Sequence, residues 1–221
     1  MNSSEVAEQG SRAWVEARLG HITASRFGDV MTQPRSKADK ESGKLSQTAE
    51  NYMIDLLGEH LTQEPASELK TYAMEWGNRW EPVARETYRQ FTKLDVVEVG
   101  FVRHPTERFI GCSPDSLVES DGLIEIKCPL TAANHVRVLI RGTVPDEHLE
   151  QIQGGLWITG RQWCDFVSYH DRFPPDLRMI VLRVERDEQF IADLAAKVTQ
   201  FRDLMVGRLK ELIAYWERQV A

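Results

Sequence analysis

Residues 113–127 read SPDSLVESDGLIEIK, and the period of this stretch decides the fold. Ser116 to Glu119 and Leu123 to Lys127 are strand-like, with Ser120-Asp121-Gly122 between them as turn chemistry. Alternate side chains of a strand share a face, so Glu125 and Lys127 point one way while Ile124 and Ile126 point the other. A three-residue loop with Gly122 in the left-handed region would set residue 119 opposite 123 and Asp115 opposite Lys127, so that three charges meet. A two-residue turn would send Asp115 to the opposite face. Two carboxylates that close repel unless a cation neutralises them, and all-oxygen ligation suits Mg²⁺, with Mn²⁺ as a substitute, better than zinc. Asp115 and Glu125 are therefore candidate metal ligands. Lys127 is a candidate to position the attacking water and offset charge developing at phosphorus; only a much depressed pKa would make it a base. The plain alternative is a solvated surface hairpin, because so short a pattern recurs by chance.

Working outward, residues 95–103 (DVVEVGFVR) and 108–112 (RFIGC) read as further strands, so a sheet begins near 95. Helical patterns follow at 131–141 and 147–159, then strands at 162–170 and 178–185, and a helix over 188–217. Upstream, helices are expected at 11–19, 23–31 (with Thr23 or Ser25 as cap), 47–61 and 69–91, the last with an apolar stripe through Leu69, Trp76, Trp80, Ala84 and Tyr88. Between them, residues 32–46 form a polar loop carrying Arg35, Lys37, Lys40 and Lys44. The order of helices, antiparallel meander, helix, strands and helix predicts one α/β (α+β) domain over 1–221: a helical part at 1–91, a sheet core at 95–187 and a C-terminal helix.

The bulk properties agree. With 221 residues, 42% hydrophobic and 28% charged, the chain suits a globular domain rather than a disordered, collagenous or coiled-coil one. The longest apolar runs are too short to cross a bilayer, and the acidic start resembles no secretory signal, so a cytoplasmic protein is expected. Cys112, Cys128 and Cys164 show no CxxC spacing and read as core thiols. The net charge of −7 argues against a general nucleic-acid coat. The acid surplus sits in the middle of the chain, either as a solvated face or as carboxylates converging on a cation.

Six blocks in one order carry a wider resemblance: Trp14 with ARLGHITAS at 17–25, Pro34-Arg35-Ser36, Trp76-Gly77 followed by Trp80-Glu81, CSPDSL at 112–117, LIEIKCP at 123–129, and QIQGGLWIT at 151–159. Together they resemble the PD-(D/E)xK nuclease core, and within it the family of phage lambda exonuclease and related viral recombinase (alkaline) exonucleases. The resemblance implies a restriction-endonuclease-like sheet flanked by helices. It implies a metal-dependent 5′→3′ exonuclease that degrades one strand of linear double-stranded DNA to 5′-mononucleotides and leaves 3′ overhangs.

Residue by residue, the resemblance implies that Asp115, Glu125 and the Ile126 carbonyl bind metal, that Glu81 completes the site from a helix, and that Gln153 orients the water or Lys127, with Gln151 a weaker candidate. It also implies a homotrimeric ring, a single-strand annealing protein as partner, and a phage or prophage setting. Arg18, Ser25 and Thr23 fall near a helix start, a ready anion site, and by resemblance hold the 5′-phosphate. The basic loop with Arg35 could track the phosphate backbone, insert Arg35 into a minor groove or simply be solvated, and Met74 by resemblance acts as a wedge at the last base pair. Plainer readings stand beside these: Glu81 exposed ahead of a break at Pro82, Gln153 a core amide, Arg18 paired with Glu16, Met74 in the core, and His135 and His148 solvated. An endonuclease with the same core, or a non-catalytic DNA-end-binding module, are the rival functions.

Overall fold

The computed structural model describes residues 7–66 and 71–220. Leu69, and the first six residues read for a signal sequence, lie outside the described residues. The elements in chain order are α1 (Arg12–Arg18), β1 (Ile22–Thr23), α2 (Phe27–Met31), α3 (Lys37–Glu41), α4 (Gln47–Thr62), α5 (Tyr72–Thr92), β2 (Val96–Val97), β3 (Val102–Arg103), β4 (Ile110–Cys112), β5 (Ser116–Val118), β6 (Gly122–Lys127), α6 (Ala132–Arg141), α7 (Leu149–Thr159), β7 (Trp163–Tyr169), β8 (Met179–Glu185) and α8 (Glu188–Val220).

A five-stranded sheet runs β2-β5-β6-β7-β8, parallel between β6 and β7 and antiparallel elsewhere. A smaller sheet runs β1-β4-β3. The expected single meander is thus divided: residues 95–103 give two short strands in different sheets. Gly100 lies between them, and a Cβ there would stand 2.4 Å from the Ala7 carbonyl oxygen, so the N-terminal segment packs where strand pairing would have to continue.

Three apolar clusters fix the layers. Ala84 and Tyr88 of α5 pack with Ile124, Ile126 and Val167 on one face of the large sheet. On the other face, Val138 of α6 and Ile152 and Leu156 of α7 meet Leu123 and Phe166. The third cluster joins α2, α4 and α8 through Phe27, Met53, Leu56, Leu194 and Phe201. Helix α5 runs unbroken through Pro82, where a kink was expected. Its C-terminal half is anchored by Tyr88, whose hydroxyl donates to Asp165 on β7 at 2.6 Å, and Asp165 also accepts from Arg183 on β8 at 2.8 and 3.0 Å.

Two local expectations change. Residues 32–46 contain α3, because Ser36 caps it by accepting from the Asp39 amide. Thr23 caps no helix: it ends β1, its amide donates to the Tyr52 hydroxyl, and a 3₁₀ turn, Ala24–Arg26, precedes α2.

The decisive hairpin keeps its odd loop but shifts its register. Ser116 pairs with Ile124, Leu117 with Leu123 and Val118 with Gly122, leaving residues 119–121 as the loop. Asp115 therefore continues to the position across from Glu125, not Lys127, while remaining on their face. Glu119, with φ 48°, takes the left-handed conformation expected of Gly122. Arg161 stabilises that tip by donating to the carbonyls of Val118, Glu119 and Gly122 at 3.1, 3.0 and 2.7 Å. Gly122 is needed for a different reason: a Cβ there would lie 2.2 Å from the Trp163 ring. Gly122→Ala is expected to overpack this contact by ~1–3 kcal/mol and lower the melting temperature by roughly 3–10 °C, read by calorimetry.

Candidate active site

The open end of the β5–β6 hairpin forms the floor of a cleft of about 670 Å³. Continuing the register sets Ile126 opposite Pro114, which has no amide to donate. The Ile126 N–H donates instead to the Asp115 carboxylate. The N–H and C=O of one strand residue point the same way, so the Ile126 carbonyl is directed toward Asp115 with no amide from Pro114 to receive. A proline before the aspartate thus leaves a backbone oxygen beside two carboxylates.

Glu125 is buried, and its Oε1 accepts from Lys127 Nζ at 2.6 Å and from Gln151 Nε2 at 2.7 Å. Lys127 Nζ is also 3.3 Å from Gln151 Oε1. From the α5 wall, Glu81 forms an ion pair with Arg85 one turn on, and Arg85 also meets Glu98 at 3.1 Å. Burial, then the charges of Glu125 and Glu81, hold the Asp115 carboxyl well above the usual carboxylate range. Glu81 is raised by burial, opposed by Arg85. For Lys127, burial disfavours the ammonium, but Glu125 and Asp115 outweigh it and the net shift is upward. The upward shift favours the ammonium form, which donates to Glu125. Burial pushes the Cys128 thiol up to about 12, which keeps it out of nucleophilic chemistry.

Among the described residues, no three His, Cys, Asp or Glu side chains form a ready chelate. Each carboxylate is turned to a protein donor instead: Glu81 to Arg85, Glu125 to Lys127 and Gln151, and Asp115 to Ile126. The donor set still fits a hard divalent cation, being all oxygen, with a directed backbone carbonyl and with Asp115 and Glu81 carboxyls that burial, then neighbouring acid charge, hold above their usual range.

Arg18, Thr23, Ser25, Met74 and Glu81 line the same cleft as Asp115, Glu125 and Lys127. The Arg18 guanidinium lies 4.2 Å over the Trp14 ring, and the Trp14 indole donates to Ser113 Oγ at 3.0 Å. Glu16 pairs with Arg12, and Arg18 forms no ion pair with Glu16 or any other acid among the described residues. Thr23 and Ser25 hydroxyls are 3.2 Å apart. Arg35 is exposed and does not line the cleft.

Gln153 is not at the site. It is buried, donating to the Glu185 carbonyl at 2.8 Å and accepting from the Asp187 amide at 3.0 Å, where it stabilises the turn from β8 into α8. Two residues along a helix turn the side chain by more than half the circumference, and it is Gln151 that reaches Lys127 and Glu125. Gln151→Ala is accordingly expected to lower turnover about 10–100-fold with little change in melting temperature. Gln153→Ala should do the reverse, lowering stability by ~1–3 kcal/mol with turnover nearly kept; steady-state rates and thermal denaturation separate the two.

Neither histidine is solvated as expected. His135 is fully buried against Ser168, and His148 lines the cleft and stacks on Phe166 at 5.3 Å.

The family model of the YqaJ-like viral recombinase domain matches residues 13–162. Among solved structures, an alkaline exonuclease from Laribacter hongkongensis, LHK-Exo, is 38% identical, with a TM-score of 0.85 over 95% of this chain and 100% of that one. The same enzyme has been solved in complex with dAMP. A phage related exonuclease from Haemophilus somnus 129PT shares the fold at 19% identity, with a TM-score of 0.67 over 87% of this chain and 96% of that one. A mimivirus protein of uncharacterised function is 25% identical over 173 residues, 73% of this chain but only 29% of that protein's length.

Proposed function

The chain belongs to the YqaJ-like viral recombinase family and has the α/β fold of alkaline exonucleases of the PD-(D/E)xK type, and from that premise we propose that it is a metal-dependent 5′→3′ exonuclease on linear double-stranded DNA. It releases 5′-mononucleotides and leaves 3′ single-stranded overhangs for strand-annealing recombination. One observation supports this above the rest: a terminal-phosphate candidate, Arg18, lines the same cleft as the Asp115, Glu125 and Lys127 floor. The complex of the 38%-identical exonuclease with dAMP supports a nucleoside monophosphate as product.

Exonucleases of this family are generally metal-dependent, and Mg²⁺, replaceable by Mn²⁺, is the proposed ion. Asp115, Glu125 and the Ile126 carbonyl would hold it, with Glu81 adjoining. When bound, it supplies Lewis acidity toward a phosphate oxygen and lowers the pKa of a water. Lys127 donates toward the charge that builds on the phosphate, and Gln151 keeps Lys127 and Glu125 in place. Arg18, with the Ser25 and Thr23 hydroxyls nearby, receives the terminal phosphate, and Met74 stands at the rim as the proposed wedge at the last base pair. Arg35 would act away from the cleft, on the minor groove. A homotrimeric ring, a single-strand annealing partner and a phage-encoded protein in the host cytoplasm complete the proposal.

Linear duplex with and without a 5′-phosphate, covalently closed plasmid, and each with EDTA make the test. Mononucleotides from the linear substrates, faster with the phosphate, a closed plasmid left intact, and silence with EDTA are expected. Cutting of the closed plasmid would make it an endonuclease, and binding of duplex ends without release in any metal would make it a binding module.

A further inference from the structure

Helix α6 contributes to the cleft side chains that the proposed chemistry does not use: Asn134, Arg137, Val138 and Arg141 all line it. The sequence AANHVRVLIR contains no acid. Arg137 and Arg141 are exposed, and neither pairs with a carboxylate among the described residues. The partner of Arg137 is the neutral Asn134 amide oxygen. Two unneutralised cations thus border an acidic floor.

Their wall is fixed from below. His135 Nε2 lies 2.8 Å from the Leu177 carbonyl, which can only accept, so Nε2 carries the proton and Nδ1 accepts from Ser168 Oγ at 2.8 Å. Ser168 sits on β7 in register with Lys127. The sheet order then sets a direction across the cleft: Arg18 is tied to the β5 side through Trp14 and Ser113, Asp115 lies just before β5 and Glu125 on β6, and α6 is tied to β7. A strand whose terminal phosphate is at Arg18 and whose first linkage is on the floor must run on toward α6. Arg137 and Arg141 stand one helical turn apart, about 6 Å, a spacing that suits consecutive phosphates of an extended strand.

We propose that Arg137 and Arg141 grip the two backbone phosphates immediately 3′ of the scissile linkage in the strand being cleaved. The assignment rests on the nuclease reading above. Arginine presents a planar fork that matches a phosphate, and two such contacts displace about two counterions, which makes the grip measurable by salt. A cation at a helix C-terminus is favourable in itself, as Arg141 is, so the pair is tested together.

The experiment compares the full chain with Arg137→Gln/Arg141→Gln. Binding of a 5′-phosphorylated duplex oligonucleotide in EDTA is followed by fluorescence anisotropy over a salt series. The double variant, melting like the wild type, should show a slope of log affinity against log salt shallower by roughly 1.8, at ~0.9 per phosphate contact. Methylphosphonates at the second and third linkages of the 5′-phosphorylated strand should lower wild-type affinity and add nothing to the variant, and Arg137→Lys/Arg141→Lys should recover most of the slope. An unchanged slope, or sensitivity to neutral linkages only in the complementary strand, would overturn the assignment. If the wild type digests linear duplex in Mg²⁺ while the variant keeps its slope, α6 alone is wrongly assigned; a wild type that releases no nucleotide removes the nuclease reading and this one with it.

Discussion

Lys127→Met should cut mononucleotide release from linear duplex by roughly 10²–10⁴-fold, the range for a positioned proton donor or charge stabiliser, while duplex-end binding stays within a few-fold. The side chain volume is kept and the ammonium is lost. With it goes the 2.6 Å contact that neutralises buried Glu125, leaving Gln151 as the remaining side-chain donor to that carboxylate among the described residues. Single-turnover digestion with saturating enzyme reads the chemical step directly. A Lys127→Met enzyme with near wild-type single-turnover rates would remove Lys127 from the chemistry and return it to the role of a surface cation. Lys127→Arg should recover little, because a planar fork cannot occupy the position of a compact ammonium between Glu125 and Gln151.

Asp165→Ala should produce the largest loss of stability, about 2–4 kcal/mol. Asp165 is almost wholly buried on β7 and joins α5, through Tyr88, to β8, through Arg183. Breaking a fully buried pair by removing one partner costs about 3–5 kcal/mol. The figure is lower here because the Arg183 side chain is 45% exposed and can be rehydrated, whereas the Tyr88 hydroxyl is left in the core without its acceptor. A fall in melting temperature of roughly 5–15 °C is expected, against a smaller one for Asp165→Asn, which retains an acceptor oxygen. Since Asp165 faces the α5 side of the sheet with Ile124, its in-register partner, turnover at 25 °C should change little. A melting temperature unchanged by Asp165→Ala would show that α5 is held by apolar packing alone.

What could be read from the sequence followed from local periodicity. The alternation in residues 122–127 placed Glu125 and Lys127 together and apart from Ile124 and Ile126, and the odd loop kept Asp115 with them. The register was misread by two positions because the left-handed residue is Glu119, held by three carbonyl contacts from Arg161, some forty residues away in sequence. Helix α7 hid the roles of its glutamines for another reason. Ile152, Gln153, Gly154, Gly155, Leu156 and Ile158 are all buried, so the helix has two covered faces, and no single apolar stripe shows which glutamine faces the floor. His135 looked solvated because its partners, Ser168 and the Leu177 carbonyl, are distant in the chain. Likewise, a single run from 95 to 103 could not reveal that the backbone of Ala7 intrudes at Gly100.

The parallel pairing of β6 with β7 also orders events during synthesis. The β5–β6 hairpin closes over a three-residue loop and can form as soon as residue 127 clears the ribosome, but β6 gains its other neighbour only after residues 163–169 have emerged, beyond two further helices. Contacts so distant along the chain form late. The nascent polypeptide therefore carries its acids on an uncovered edge for dozens of codons, and the floor of the cleft gains its second flank only once β7 has paired with β6.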